Sequence, residues 1–91
     1  MISREVKLRS DIGLHARPSA RISEMARSYE ETTKITLSNP ENGEVADARS
    51  ILSLLSLAVE GHKTVVLTVT GDNEEKIFKD ISEVIENFTV D

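Results

Sequence analysis

Cysteine is absent from this chain, so disulfide bonds and cysteine-ligated metal centres are excluded. The absence fits a reducing compartment. Aromatic side chains are scarce, only Tyr29, Phe78 and Phe88, so leucine, isoleucine, valine and alanine must fill the interior. Basic clusters are missing as well, and the formal net charge is −5. An excess of negative charge repels a phosphate backbone, which argues against a nucleic-acid partner. No apolar run is long enough for a signal segment or a membrane span; the opening residues, MISREVKLRS, alternate and carry charge. The expectation is a cytoplasmic protein with no membrane insertion. Low-complexity stretches, linkers and internal repeats are not seen, and 91 residues leave room for a single domain spanning 1–91. A domain of that size buries a modest core and must be compact and regular to fold alone.

What is present is a succession of short, clearly patterned elements. Residues 2–9 alternate, with Ile2, Arg4, Val6 and Leu8 on one face, as in a half-buried strand. Ser10-Asp11-Ile12-Gly13 breaks it with turn residues. A helix is expected from Ala16 to Ser28 or Tyr29, with Pro18 in its first turn and Ser19, Ile22, Ala26 and Tyr29 at helical spacing. Thr33 to Ser38 reads as a strand with Ile35 and Leu37 inward. Asn39-Pro40-Glu41-Asn42-Gly43 reads as a turn and Glu44 to Ala48 as the returning strand. Ser50 is placed to cap a short apolar helix, Ile51 to Ala58. Thr64 to Thr70 is the clearest strand. Asp72, with Glu75 in a capping-box arrangement, opens a last helix whose stripe is Ile77, Phe78, Ile81, Val84, Ile85 and Phe88. The order predicts an α+β fold of two layers, three helices on one face of a four-stranded antiparallel sheet, with Lys7 and Lys34 on the face left to water.

The chemistry concentrates in Gly13-Leu14-His15-Ala16-Arg17-Pro18, between a strand and a helix. His15 stands at a helix N-terminus, where backbone N–H groups point outward and the dipole is positive. Such a place binds anions, phosphate especially. The positive end opposes a charged imidazolium, and a neutral ring keeps a nucleophilic lone pair. Arg17 can lay its guanidinium against phosphate oxygens. Nucleophile, anion cradle and cation all lie between His15 and Pro18. By itself, a lone histidine before a helix is more often a polar end residue, and a lone arginine a solvated charge.

That segment resembles the active-site signature of HPr, the histidine phosphocarrier family of the bacterial phosphoenolpyruvate-dependent sugar phosphotransferase system. Asn42-Gly43, Ala48-Arg49-Ser50-Ile51-Leu52, Leu55-Ser56-Leu57-Ala58 and Gly61 resemble a second block of the same family, and the likeness runs from about Val6 to Phe88. The resemblance implies an open-faced sandwich of four antiparallel strands and three helices. It implies that His15 accepts phosphate on Nδ1 from phosphorylated enzyme I and passes it to the A component of a sugar permease. The protein would then be a stoichiometric carrier and not an enzyme, with no cofactor. Arg17 would steady the phosphate, and the backbone N–H groups of Ala16 and Arg17 would cradle it. Ser50 matches a regulatory serine that a dedicated kinase phosphorylates in many relatives, although a helix N-cap serine needs no further reason to be there. Leu52 and Leu55 match apolar residues of the partner surface, with Ala16 and Ala20 near them and Arg21, Arg27 and Arg49 around them; an ordinary core role is the alternative for the two leucines. Glu24, Ser53 and a longer hairpin at 39–43 depart from the usual pattern and bear on which partner is recognised.

His62, the other histidine, falls in a loop and is expected in solvent. No third ligand completes a metal site with His15. Three other readings remain beside the carrier: an HPr-like regulatory phosphorelay or corepressor acting with a transcription regulator, a small acyl-phosphate hydrolase, and a plain binding module. The hydrolase lacks the glycine-rich arginine loop it would need. A carrier that shows one site to successive partners is expected to be a monomer.

Overall fold

The computed structural model describes residues 1–88. The elements follow the order β1 (Ile2–Lys7), α1 (Ala16–Ser28), β2 (Lys34–Ser38), β3 (Val45–Asp47), α2 (Ile51–Ser56), β4 (Thr64–Thr70) and α3 (Glu74–Asn87). The strands form one antiparallel sheet in the order β1-β4-β2-β3. β4 lies inside the sheet, paired on both sides, and its alternation explains why. Val65, Leu67 and Val69 are fully buried, while Val66 and Thr68 turn to the open face.

Register stacks the inward residues into rows. Val69 pairs with Ile2 and with Ile35, and Leu67 pairs with Arg4 and with Leu37, which in turn pairs with Ala46. Ile22 and Ala26 of α1, Leu54 of α2, and Ile77, Ile81 and Ile85 of α3 close over these rows. Lys7 and Lys34 are exposed on the other face, where Ser3 and Thr68 share a hydroxyl hydrogen bond of 2.8 Å. The two-layer expectation therefore holds. Arg4 belongs to the inward row, yet β1 is an edge strand, so its guanidinium reaches out of the layer and lies 5.8 Å from the centre of the Phe78 ring.

Element ends differ from the sequence expectation for local reasons. β1 stops at Lys7 and not Arg9, because the Leu8 N–H bonds the Lys63 carbonyl and the Arg9 N–H bonds the Ile85 carbonyl at the end of α3. The strand after the hairpin is only Val45–Asp47. α2 ends at Ser56 and not Ala58: the N–H groups of Leu57 and Ala58 turn to the carbonyls of Leu54 and Leu55, and Ala58 enters the left-handed region at φ +54°. The capping box at Asp72 does not form. Asn73 holds the cap position without a side-chain bond, and Glu74 of the first turn accepts the Gly71 N–H at 3.2 Å.

Leu67→Ala should cost about 2–5 kcal/mol, because it empties the centre of the middle layer. A urea titration of the variant reads this as a lower midpoint with an unchanged slope.

Candidate functional site

The approach to His15 is built from two loops in contact. Ser10 is buried, and its carbonyl accepts the N–H groups of Gly13 and His62 at 3.4 and 3.2 Å. Leu14 is buried too, and its N–H bonds the Val59 carbonyl at 3.1 Å. Glycine is required on both sides of this contact. Gly13 has φ +78°, and a Cβ there would fall 2.0 Å from the Val59 oxygen. A Cβ on Gly61 would fall 1.9 Å from the Asp11 oxygen. The loops thus touch backbone to backbone, and the chain enters α1 at a defined angle.

His15 is the N-cap residue, in an extended conformation with φ −97° and ψ −168°, and its side chain makes no cap bond. Its carbonyl accepts the Ser19 N–H at 3.1 Å, the first bond of the helix. Pro18 has no N–H, so the amides ahead of that bond are those of Ala16 and Arg17, which no carbonyl of the helix can reach. No acidic side chain sits in the first turn to offset the positive end. The ring is half-buried, and Nε2 is buried without a hydrogen-bond partner among the described residues. Phe88 meets the ring edge-on, with centroids 6.5 Å apart and planes at 66°. The imidazole is thus carried by the cap residue of a helix N-terminus, a place that can bind an anion.

Ala16, Arg17, Ala20 and Arg21 are all exposed. Their spacing repeats every four residues along α1, so they form one stripe running from His15. Glu24 pairs with Arg21 at 3.3 Å and takes up part of that positive charge. Arg27 bonds the Ser23 carbonyl in the last turn of α1, ~16 Å along the helix from Ala16. Arg49 lies beyond it: its guanidinium donates to the carbonyls of Thr33 and Glu30 at 2.8 and 2.9 Å and fastens the loop after α1.

α2 packs against α1, and the Ser23 hydroxyl donates to the Arg49 carbonyl at 2.8 Å just ahead of α2. Ser50 is half-buried, and its Oγ accepts the Ser53 N–H at 3.2 Å, as a capping serine should. Leu52 is 78% exposed and Leu55 37%, whereas Leu54 is fully buried. One side of this short helix is core and the other is apolar surface. His62 is exposed and pairs with Asp11 at 2.7 Å. Among the described residues no cluster of three acidic or histidine side chains could hold a metal ion, and no helix is long and apolar enough to cross a membrane.

A family model described as the PTS HPr component phosphorylation site matches residues 2–87. This chain belongs to the PTS HPr family. The phosphocarrier protein HPr of Cupriavidus necator is 30% identical over 87 residues, which cover 96% of this chain and 93% of that protein. The HPr-like protein Crh of Halalkalibacterium halodurans is 29% identical over 86 residues, covering 94% of this chain and 98% of that protein. The solved structure of HPr-C-His from Thermoanaerobacter tengcongensis superposes with a TM-score of 0.82 at 29% identity, covering 94% of this chain and 92% of that one. The βαββαβα open-faced sandwich is thus shared with HPr structures.

Two residues that meet His15 were not singled out from sequence. Phe88 reads as one more member of the α3 stripe, but it is the C-cap residue of that helix and turns its ring to His15. Ser19 reads as part of the buried face of α1, which it is, yet its hydroxyl is fully buried with no hydrogen-bond partner among the described residues. An unpaired buried hydroxyl is costly, and alanine is the better helix former. Ser19→Ala should therefore stabilise the fold by about 1 kcal/mol, against the usual sign for a core substitution. Thermal unfolding of the variant would show this as a higher Tm.

Proposed function

We propose that this chain is a phosphocarrier of the sugar phosphotransferase system, taking a phosphoryl group on His15 from phosphorylated enzyme I and passing it to the A component of a sugar permease. The observation that carries the reading is that a histidine caps α1, whose first turn contains no acidic side chain. The burial of Nε2 supports Nδ1 as the attacking atom, because it leaves Nδ1 as the ring nitrogen for a donor to meet. In the transfer, Nδ1 forms a bond to phosphorus as the bond to the donor breaks; the reverse exchange delivers the group to the acceptor. The amides of Ala16 and Arg17 receive the phosphoryl oxygens, and the Arg17 guanidinium adds a charge-assisted contact. The protein is consumed and regenerated in each cycle, so it acts as a stoichiometric carrier and not as an enzyme. Residues 1–91 act as one domain, as a monomer in the cytoplasm.

Docking would use the exposed apolar side of α2, Leu52 and Leu55, beside Ala16 and Ala20. Arg17 and Arg21 are near the histidine, and Arg27 and Arg49 extend the positive charge along α1. An acidic partner is attracted to that rim although the whole chain is negative. Ser50 sits at the start of the same helix. A phosphate placed there by a serine kinase would rest well on the helix end, yet add about −1.5 to −2 charges beside the docking face. A regulatory role for such a form, through a transcription regulator, is the second reading; similarity at 28% identity to the solved structure of Crh, described as the Bacillus subtilis catabolite repression HPr, favours it. His15 supports retained transfer chemistry in either branch.

Incubation with phosphoenolpyruvate and enzyme I should add one acid-labile phosphate, mapped to His15 by mass spectrometry. His15→Ala should take none, and Arg17→Ala should slow transfer by roughly 10²-fold or more. A folded wild-type protein that stays unlabelled with its cognate enzyme I would refute the carrier assignment. Ser50→Asp should slow the same transfer by roughly tenfold through charge repulsion, with little change in Tm.

A further inference from the structure

The turn between β2 and β3 lies far from His15 in sequence, but the structure ties the two together. Asn39 is 4% exposed; its Nδ2 donates to the Leu57 carbonyl at 2.8 Å and its Oδ1 accepts the Glu41 N–H at 3.0 Å. Asn42 repeats the pattern from the exposed side: Nδ2 donates to the same carbonyl at 3.1 Å, and Oδ1 accepts the Glu44 N–H at 2.9 Å. Two side-chain amides thus converge on one backbone oxygen, that of the residue closing α2. Glu41 adds an ion pair with Lys63 at 3.7 Å, on the far side of the same loop.

The residue after Leu57 is Ala58, at φ +54°, a conformation that a side-chain-bearing residue keeps only when its surroundings hold it. Next comes Val59, whose carbonyl receives the Leu14 N–H and presses on Gly13. Leu14 is bonded directly to His15. A short continuous path therefore runs from the hairpin amides through the Leu57 carbonyl, the left-handed Ala58 and the Val59 carbonyl to the residue that places the imidazole. Leu52 and Leu55 lie on the helix whose end the same amides hold.

We propose that Asn39 and Asn42 are positioning residues of the His15 site: by gripping the Leu57 carbonyl they keep Ala58 left-handed and Val59 against Leu14, and so fix the backbone that carries His15 into the start of α1. The inference rests on the phosphocarrier reading for its consequence, transfer rate, but not for the coupling itself.

Asn→Asp at either position separates the grip from the turn. The carboxylate still accepts the N–H two residues on, but it cannot donate to Leu57 and it repels that carbonyl. Hydrogen exchange of individual amides and phosphotransfer from enzyme I are measured on Asn42→Asp, Asn39→Asp and the wild type. The expected result is that the Leu14 amide exchanges roughly tenfold faster while the Leu67 amide in β4 keeps its protection. Transfer to His15 slows several-fold in kcat with a smaller change in KM, and Asn42→Gln, which keeps a donor, recovers part of it. Unchanged exchange at Leu14 in a folded variant overturns the proposal. So does equal acceleration at Leu14 and Leu67, since that is global loosening. A wild-type protein that takes no phosphate while the variants still loosen Leu14 overturns the role assigned to His15 and leaves the coupling standing.

Discussion

The presentation of His15 depends on one close approach, where the backbone of residues 10–14 lies against that of residues 57–62. The Leu14 N–H bonds the Val59 carbonyl, and the two glycines, Gly13 and Gly61, each stand where a Cβ would strike the opposite chain. Without that contact the segment before α1 would have no fixed exit direction, and His15 would not be held at the helix cap. The contact is itself held from below. β4 leads away from one loop and β1 leads into the other, and β1 pairs with β4 from Ile2 with Val69 to Lys7 with Thr64. Core burial along β4 thus determines where the two loops meet.

On this base the electrostatics are local and opposite in sign to the whole. The chain carries a formal −5, yet the first turn of α1 contains no acid and begins with Ala16, Arg17 and Pro18. Proline removes one amide that would otherwise need a partner, and the Ser19 N–H closes on the His15 carbonyl. The same economy holds on α2, where Leu54 is buried and Leu52 is exposed, so six helical residues serve core and surface together. The distant arginines are used differently: Arg49 secures the loop after α1 through two carbonyls, so truncating it would disturb packing as well as charge.

Much of this was legible in residue order. Alternation in Val65, Leu67 and Val69 identified the buried strand, and Ile77, Ile81 and Ile85 at helical spacing identified the buried side of α3. The motif from Gly13 to Pro18 placed His15 at a helix start because proline tolerates only the first turn of a helix. The ends of elements were less legible. Asp72 and Glu75 satisfy a capping-box pattern, but Gly71 turns its N–H toward Glu74, and the helix starts one residue later than that pattern requires. Similarly, Leu57 and Ala58 have a helical composition, and only the left-handed turn at Ala58 shows that α2 has already ended.

Sequence alone determined the order of elements, the inward residues of β2, β4, α1 and α3, and the placing of His15 at a helix start. Those properties are periodic or local, and side-chain type records them. Tertiary structure alone decided that Phe88 meets the His15 ring, that Gly13 rests on Val59, and that Asn39 and Asn42 reach Leu57. In the last two cases one partner is a backbone carbonyl. Every residue has one, so no amino-acid type marks which carbonyl will be used, and only the packing of the sheet and helices brings that oxygen within reach.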